Sequence, residues 1–331
     1  MEKNPIALAP ADSPPIGVYV ISPSGFVPED GRFERAIANL ARAGYRVRAD
    51  RAARARKQRF AGSDAQRAGA FARAAAAPEP IVLISRGGYG LTRLLPSLDF
   101  ARLAAAGKHW VGLSDFTAFH LAMLAQAGTV TWAGPALLAD FGAESFEAVD
   151  ETTLGTFDDA MSGRLELLGF RYQGRSGVDV RGTLWGGNLS IVCTLLGTPY
   201  FPRVDGGILF LEEVNEHPYR IERMLTQLWL SGVLARQKAI VLGYVNEYRL
   251  GDHDGGFDMK AVVKWLAKRV DAPILSGLPF GHASPKLMLP HGATVGLATE
   301  GRTCWIVLPH EHAAHGPGHR TMGLQCPHCA A

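Results

Sequence analysis

Short β-like runs alternate with helical patterns through the first half of the chain, and that alternation restricts the fold more than any other feature. IGVYVIS (16–22), YRVRA (45–49), IVLIS (81–85) and HWVGL (109–113) are separated by helical patterns over about 29–43 and 64–76, with another after Ser114. Near-continuous apolar strands joined by helices predict a parallel sheet covered on both faces, and ligand chemistry then gathers at the C-terminal strand ends. Arg86-Gly87-Gly88 and Ser114 both fall at such ends.

From Thr129 to about Gln173 the pattern becomes irregular and then acidic, which places a domain boundary there. It restarts with GTLWGGNLSIVCTLLGTPYF, GGILFLEE (206–213), a helix from about Pro218 to Leu230, AIVLGYV (239–245), a helix near 259–269 and β-like runs ending in TCWIVLP (303–309). The expected division is a leader over 1–15, a nucleophile domain over 16–140, a connecting segment over 141–178, a mixed α/β domain over 179–309 and a tail over 310–331.

At 331 residues with 47% hydrophobic and 20% charged residues, the chain can bury the cores of two ordinary domains. Its formal charge is +3, and the basic cluster from Arg42 to Arg59, interleaved with alanine, reads as a solvated helix and loop rather than a nucleic-acid platform. No uninterrupted apolar run reaches the length of a membrane span, and MEKNPIALAPADSPP lacks the basic and apolar regions of a signal peptide, so a cytosolic protein is expected. Cys193 and Cys304 lie in apolar runs and read as small buried hydrophobes.

HWVGLSDFTAFH (109–120) breaks from strand to helix at Gly112-Leu113-Ser114 and reads as a nucleophile elbow, with Ser114 at the apex and free backbone N–H groups beside it. Phe116 stands where the usual second glycine would be. The alternative is that Ser114 is only the N-cap of the following helix. A serine nucleophile needs a base and a group to orient that base. His282, after APILSGLPF and Gly281, sits where a side chain is exposed at a strand end; His120 lies on the helix after the elbow and reads as packed. ILFLEEVNEHPYR offers Glu212, Glu213 and Glu216 as the orienting carboxylate. Glu212 stands out because it ends an apolar run, where a carboxylate requires a partner.

Arg86-Gly87-Gly88-Tyr89-Gly90 matches neither phosphate-binding glycine pattern; its paired glycines either let backbone N–H groups approach an anionic centre, as an oxyanion hole needs, or form a tight turn only. Trp185-Gly186-Gly187-Asn188 offers an aromatic wall and an amide for a peptide, or a glycine corner with Asn188 as N-cap. In the tail, Cys326 and Cys329 with His310, His312, His315 and His319 carry zinc-ligand chemistry, but one C-x-x-C supplies two ligands only, and a disordered tail is the expectation.

Taken in order, QRFAGSDAQR, ISRGGYGLTRLLPSLDF, VGLSDFTAFH, GTLWGGNLSIVCTLLGTPYFP, LFLEEVNEHPYRIERML and GLPFGHASPKLMLPHGA resemble the muropeptide LD-carboxypeptidase family of serine peptidases over residues 16–309. The resemblance implies a Rossmann-like N-terminal domain, a smaller β-rich C-terminal domain and a homodimer. It places the nucleophile on Ser114, the glutamate on Glu212 rather than Glu213, the base on His282, and the oxyanion hole on backbone amides near Gly87, Gly88 and Asp115. It also implies a metal-free, cofactor-free release of D-alanine from a murein tetrapeptide in the cytoplasm during peptidoglycan recycling. Arg86 and Arg220 are candidate partners of the substrate's terminal carboxylate, though either could equally be a structural ion pair, with Trp185, Asn188 and Glu216 as further substrate contacts. The segment NEHPYRIERML resembles the cell-wall recycling branch rather than the microcin-immunity branch, which hydrolyses peptidyl-nucleotides. A non-catalytic peptidoglycan-fragment sensor or a metal-dependent binding protein acting through the tail are alternatives from another class.

Overall fold

A computed structural model describes residues 15–308 of the chain. The tail residues His310, His312, His315, His319, Cys326 and Cys329 lie outside the described residues. The first half forms β1 (Ile16–Ile21), α1 (Arg32–Arg42), β2 (Tyr45–Ala49), α2 (Asp64–Ala76), β3 (Ile81–Ile84), α3 (Phe100–Ala105), β4 (His109–Gly112), α4 (Thr117–Ala127) and β5 (Thr131–Ala133). The strands pair in the order β5-β4-β3-β1-β2, all parallel, as the alternating pattern predicts. All four residues of β3 are buried because helices cover both faces. Local chemistry sets the helix ends: α2 opens with a capping box between Ser63 and Gln66, and α4 stops at Gly128 in the left-handed region.

After α5 (Glu151–Met161), the second half forms β6 (Leu167–Arg171), β7 (Gln173–Gly174), β8 (Asp179–Asn188), α6 (Leu189–Leu195), β9 (Gly207–Val214), α7 (Pro218–Leu230), β10 (Gln237–Asn246), α8 (Met259–Leu266), β11 (Ile274–Ser276), β12 (Leu289–His291), β13 (Thr294–Glu300) and β14 (Thr303–Val307). Eight of these strands make a mixed sheet ordered β6-β14-β13-β8-β9-β10-β11-β7, with β8 to β11 parallel and the flanking pairs antiparallel. β12 leaves this sheet and pairs antiparallel with β5, so a late stretch of chain closes one edge of the first sheet. The irregular region after Thr129 thus contains a three-residue strand, too short and too close to Gly134 and Pro135 to show a period.

Two contacts join the halves of the chain, and a third seats β12 in the first layer. Gly186 and Gly187, both at positive φ, sit inside β8 rather than in a turn, and a Cβ on Gly187 would lie 2.5 Å from the Thr117 Oγ1 at the start of α4. That hydroxyl accepts the Asn188 backbone N–H at 3.0 Å. Lys286 Nζ and Asp140 Oδ1 form a buried ion pair at 2.5 Å between chain segments 146 residues apart. His120 on α4 and His291 on β12 stack with ring centroids 5.3 Å apart, both buried. Among the described residues Cys193 and Cys304 are buried and unbridged, and burial pushes both thiols up to about 12. Among the described residues no helix is long and apolar enough to cross a membrane.

Two outcomes follow from these contacts. Gly187→Ala should lower stability by about 2 kcal/mol or more, seen as a reduced Tm, because both its φ of 126° and the thread of space beside Thr117 exclude a methyl group. Burial pushes His120 down to about 4 and His291 in the same direction, so folding favours neutral rings. Their contribution is complete above the unfolded value of about 6.5 and is lost as pH falls toward 4. Urea midpoints measured between those limits should fall with acid, and His120→Asn should flatten that dependence.

Candidate active site

Leu113 is extended and Ser114 turns to φ 64°, after which a 3-10 turn over Ser114–Phe116 leads into α4. A non-glycine residue forced into the left-handed region at the end of a buried parallel strand is the geometry of a nucleophile elbow. Ser114 therefore does not cap the helix: the cap of α4 is Phe116, and it makes no side-chain capping bond. Phe116 can replace the usual glycine because its ring occupies the space beside Gly112, where a Cβ would come within 2.7 Å of it. The ring stacks on Phe119 and Phe71 in the core.

The Gly87-Gly88 loop lies against the elbow. A Cβ on Gly87 would sit 2.7 Å from Ser114 Oγ and 3.7 Å from the Asp115 backbone nitrogen. Gly88 has φ 125° and packs on Gly25, whose N–H donates to the Gly87 carbonyl at 3.3 Å. The Asp115 carboxylate, buried and with its pKa raised by that burial, accepts the Leu91 N–H at 2.9 Å and holds the loop to the elbow. Both glycines and Ser114 line a cavity of about 720 Å³, with Arg86 and His282 on its walls.

His282 Nδ1 is 2.8 Å from Glu212 Oε2. Glu212 is 1% exposed, and its pairing with Asn188 in the β8–β9 register puts it toward the C-terminal end of the parallel strands of the mixed sheet. Gly281 makes this contact geometrically accessible: φ is 130°, and a Cβ there would lie 2.9 Å from Glu212 Oε2. The loop holding His282 is fixed to β10 by Tyr244 N–H to the Phe280 carbonyl at 2.8 Å and by Asn246 Nδ2 to the His282 carbonyl at 3.3 Å. Burial alone would lower the His282 pKa, but the hydrogen bond and charge of Glu212 outweigh it, and the pKa rises above the ordinary value.

The neighbouring carboxylate has a different task. Glu213 accepts from Asn188 Nδ2 at 2.9 Å, from Val214 N–H at 3.0 Å, and from the Ser190 N–H and hydroxyl at 2.8 and 2.7 Å. It is a structural anion at the start of α6, where the helix dipole favours it. Asn188 is the N-cap of that helix, accepting the Ile191 N–H, and does not line the cavity. Trp185 is 1% exposed and donates its indole N–H to Gln237 Oε1 at 2.9 Å, so the expected aromatic wall is a core side chain. Arg220 pairs with Glu216 at 3.3 Å across one turn, and neither lines the cavity. His120 has both ring nitrogens engaged, by Thr131 Oγ1 at 2.8 Å and the Gly112 carbonyl at 2.9 Å, and is packed as expected. Of the expected substrate contacts only Arg86 reaches the cavity, its guanidinium 3.4 Å from the Phe26 carbonyl.

Sequence reasoning passed over Asn215, Glu247, Lys286 and Arg32, all on the cavity walls. Asn215 and Glu247 follow the ends of β9 and β10, a position shared with Ser114 after β4 and readable as such. Lys286 and Arg32 carry no local signal.

Residues 18–134 match the model of the LD-carboxypeptidase N-terminal domain, and residues 181–297 match that of the C-terminal domain. The chain is 41% identical to the muramoyltetrapeptide carboxypeptidase from Oxalobacter formigenes, whose crystal structure superposes with a TM-score of 0.80 over 88% of this chain and 99% of that one. It is 29% identical to the probable murein peptide carboxypeptidase of Bacillus subtilis (strain 168), over 87% of this chain and 91% of that protein. It is also 26% identical to the microcin C7 self-immunity protein MccF of Escherichia coli, over 92% and 97%. With both domains matched in order around one cavity, the chain belongs to the LD-carboxypeptidase family and is a carboxypeptidase.

Proposed function

We propose that the chain is a cytosolic serine LD-carboxypeptidase that releases the terminal D-alanine from murein tetrapeptides in peptidoglycan recycling, and that it works as a homodimer. The observation that carries this reading is the strained Ser114 on the same cavity as a histidine backed by a buried glutamate. His282 takes the proton of Ser114 as the hydroxyl attacks the scissile carbonyl. Glu212 fixes the imidazole through Nδ1, leaving Nε2 to face the serine, and stabilises the imidazolium that forms. Backbone N–H groups at Gly87, Gly88 and Asp115 stabilise the oxyanion, His282 returns the proton to the departing D-alanine amine, and water hydrolyses the acyl-enzyme by the same route. Arg86 receives the terminal carboxylate of the substrate.

The reading is tested with L-Ala-γ-D-Glu-meso-diaminopimelyl-D-Ala in the presence of a chelator. Wild type should release D-alanine, and Ser114→Ala should lose on the order of 10³-fold or more in kcat. No release by wild type, with turnover of a peptidyl-nucleotide instead, would move the substrate to the microcin type. Because Glu212 holds the His282 pKa above its ordinary 6.5, the acid limb of kcat/KM should lie above that value. Glu212→Gln should shift the limb to lower pH while cutting the rate by a factor of about 10³.

A further inference from the structure

Among the described non-glycine residues, Gln58, Ser114, Asn215 and Glu247 have positive φ, and three of these four line the single cavity that holds Ser114 and His282. Asparagine enters the left-handed region several-fold more readily than most residues, whereas glutamate has no such preference, so Glu247 at φ 60° is held there by its surroundings. The holding elements are visible. β9 and β10 are neighbouring parallel strands, the Asn215 N–H donates to the Asn246 carbonyl at 2.9 Å, and a register shift between Leu242 and Val245 bends the end of β10.

The charges on the cavity walls separate into two kinds. Arg32 is paired with Asp30 at 2.6 Å, Lys286 with Asp140 at 2.5 Å, and His282 with Glu212 at 2.8 Å. Arg86 and Glu247 line the same cavity without a partner of opposite charge among the described residues. Among the described residues, one free cation and one free anion in this cavity match a ligand that carries both signs.

We propose that Glu247, supported by Asn215, determines specificity for the residue preceding the scissile bond by accepting an ammonium group on its side chain, while the terminal carboxylate lies toward Arg86. The inference rests on the carboxypeptidase reading above and adds the side-chain chemistry that the cavity selects. A side chain ending in an ammonium supplies donors to the Glu247 carboxylate, and the Asn215 amide offers a donor to any carboxylate on the same carbon. Glu247 is exposed at the rim, so the selectivity it confers is modest.

The experiment measures kcat/KM for L-Ala-γ-D-Glu-X-D-Ala with X as meso-diaminopimelate, L-lysine, L-norleucine or L-2-aminoadipate. Wild type should favour the two ammonium-bearing peptides over norleucine by roughly five- to tenfold. Glu247→Gln, which preserves the shape of the side chain, should bring that ratio close to one, and Glu247→Lys should turn the preference toward aminoadipate. D-alanine release with no charge preference in wild type, or an unchanged ratio in Glu247→Gln, overturns the role of Glu247 alone. No release from any of the peptides by wild type overturns the carboxypeptidase reading and this inference together.

Discussion

Burying a carboxylate without a partner costs several kcal/mol, and Glu212 is placed where that cost is met by one side chain, His282. The organisation around the cavity follows from this contact. Glu212 lies at the end of a strand flanked by β8 and β10, which shield it from water, and Gly281 leaves the gap through which the imidazole reaches it. The same pairing raises the basicity of the His282 ring, which lines the cavity that also holds Ser114. Under the proposed mechanism, one contact both partners a buried charge and prepares a base.

Ser114 belongs to the other sheet, so the arrangement requires the two sheets to be docked with little freedom. The contacts around that junction sit close to Ser114, Glu212 and the His282 loop. Thr117, three residues after the serine, meets Gly187 and Asn188, and Asn188 pairs in register with Glu212. His120, whose ring bonds to the Gly112 carbonyl at the base of the elbow, stacks on His291 from β12. Lys286 and Asp140 join the His282 loop to the segment after β5. A displacement of about 1 Å at such a junction is enough to cost a large part of a catalytic rate, so the close packing of Thr117 against Gly187 bears directly on the proposed chemistry.

The elbow was legible in the sequence because its cause is local: a buried strand, a glycine and a helix start within six residues. The parallel sheet was legible for the same reason, each strand carrying its own apolar run. Glu212 and Glu213 were not separable by pattern, since neighbours on a strand face opposite sides and both are buried. What distinguishes them is long-range: Asn188 and Ser190 satisfy one, and His282 the other. Trp185 was misplaced as a wall because a glycine pair inside a strand carries the same letters as a glycine turn, whereas Asn188 is the N-cap that the alternative reading offered. β12 and the Lys286–Asp140 pair depend on contacts between distant segments, and the left-handed backbone of Glu247 is set by strand register that no residue type announces.

The account stands on Ser114 as the atom that becomes acylated. A depsipeptide with D-lactate in place of the terminal D-alanine should acylate the enzyme faster than water clears it, so acid quenching during turnover followed by mass analysis of the peptide containing residues 109–120 reads the intermediate directly. The account predicts a tripeptidyl adduct on Ser114. Hydrolysis of the depsipeptide with Ser114 unmodified throughout would contradict it.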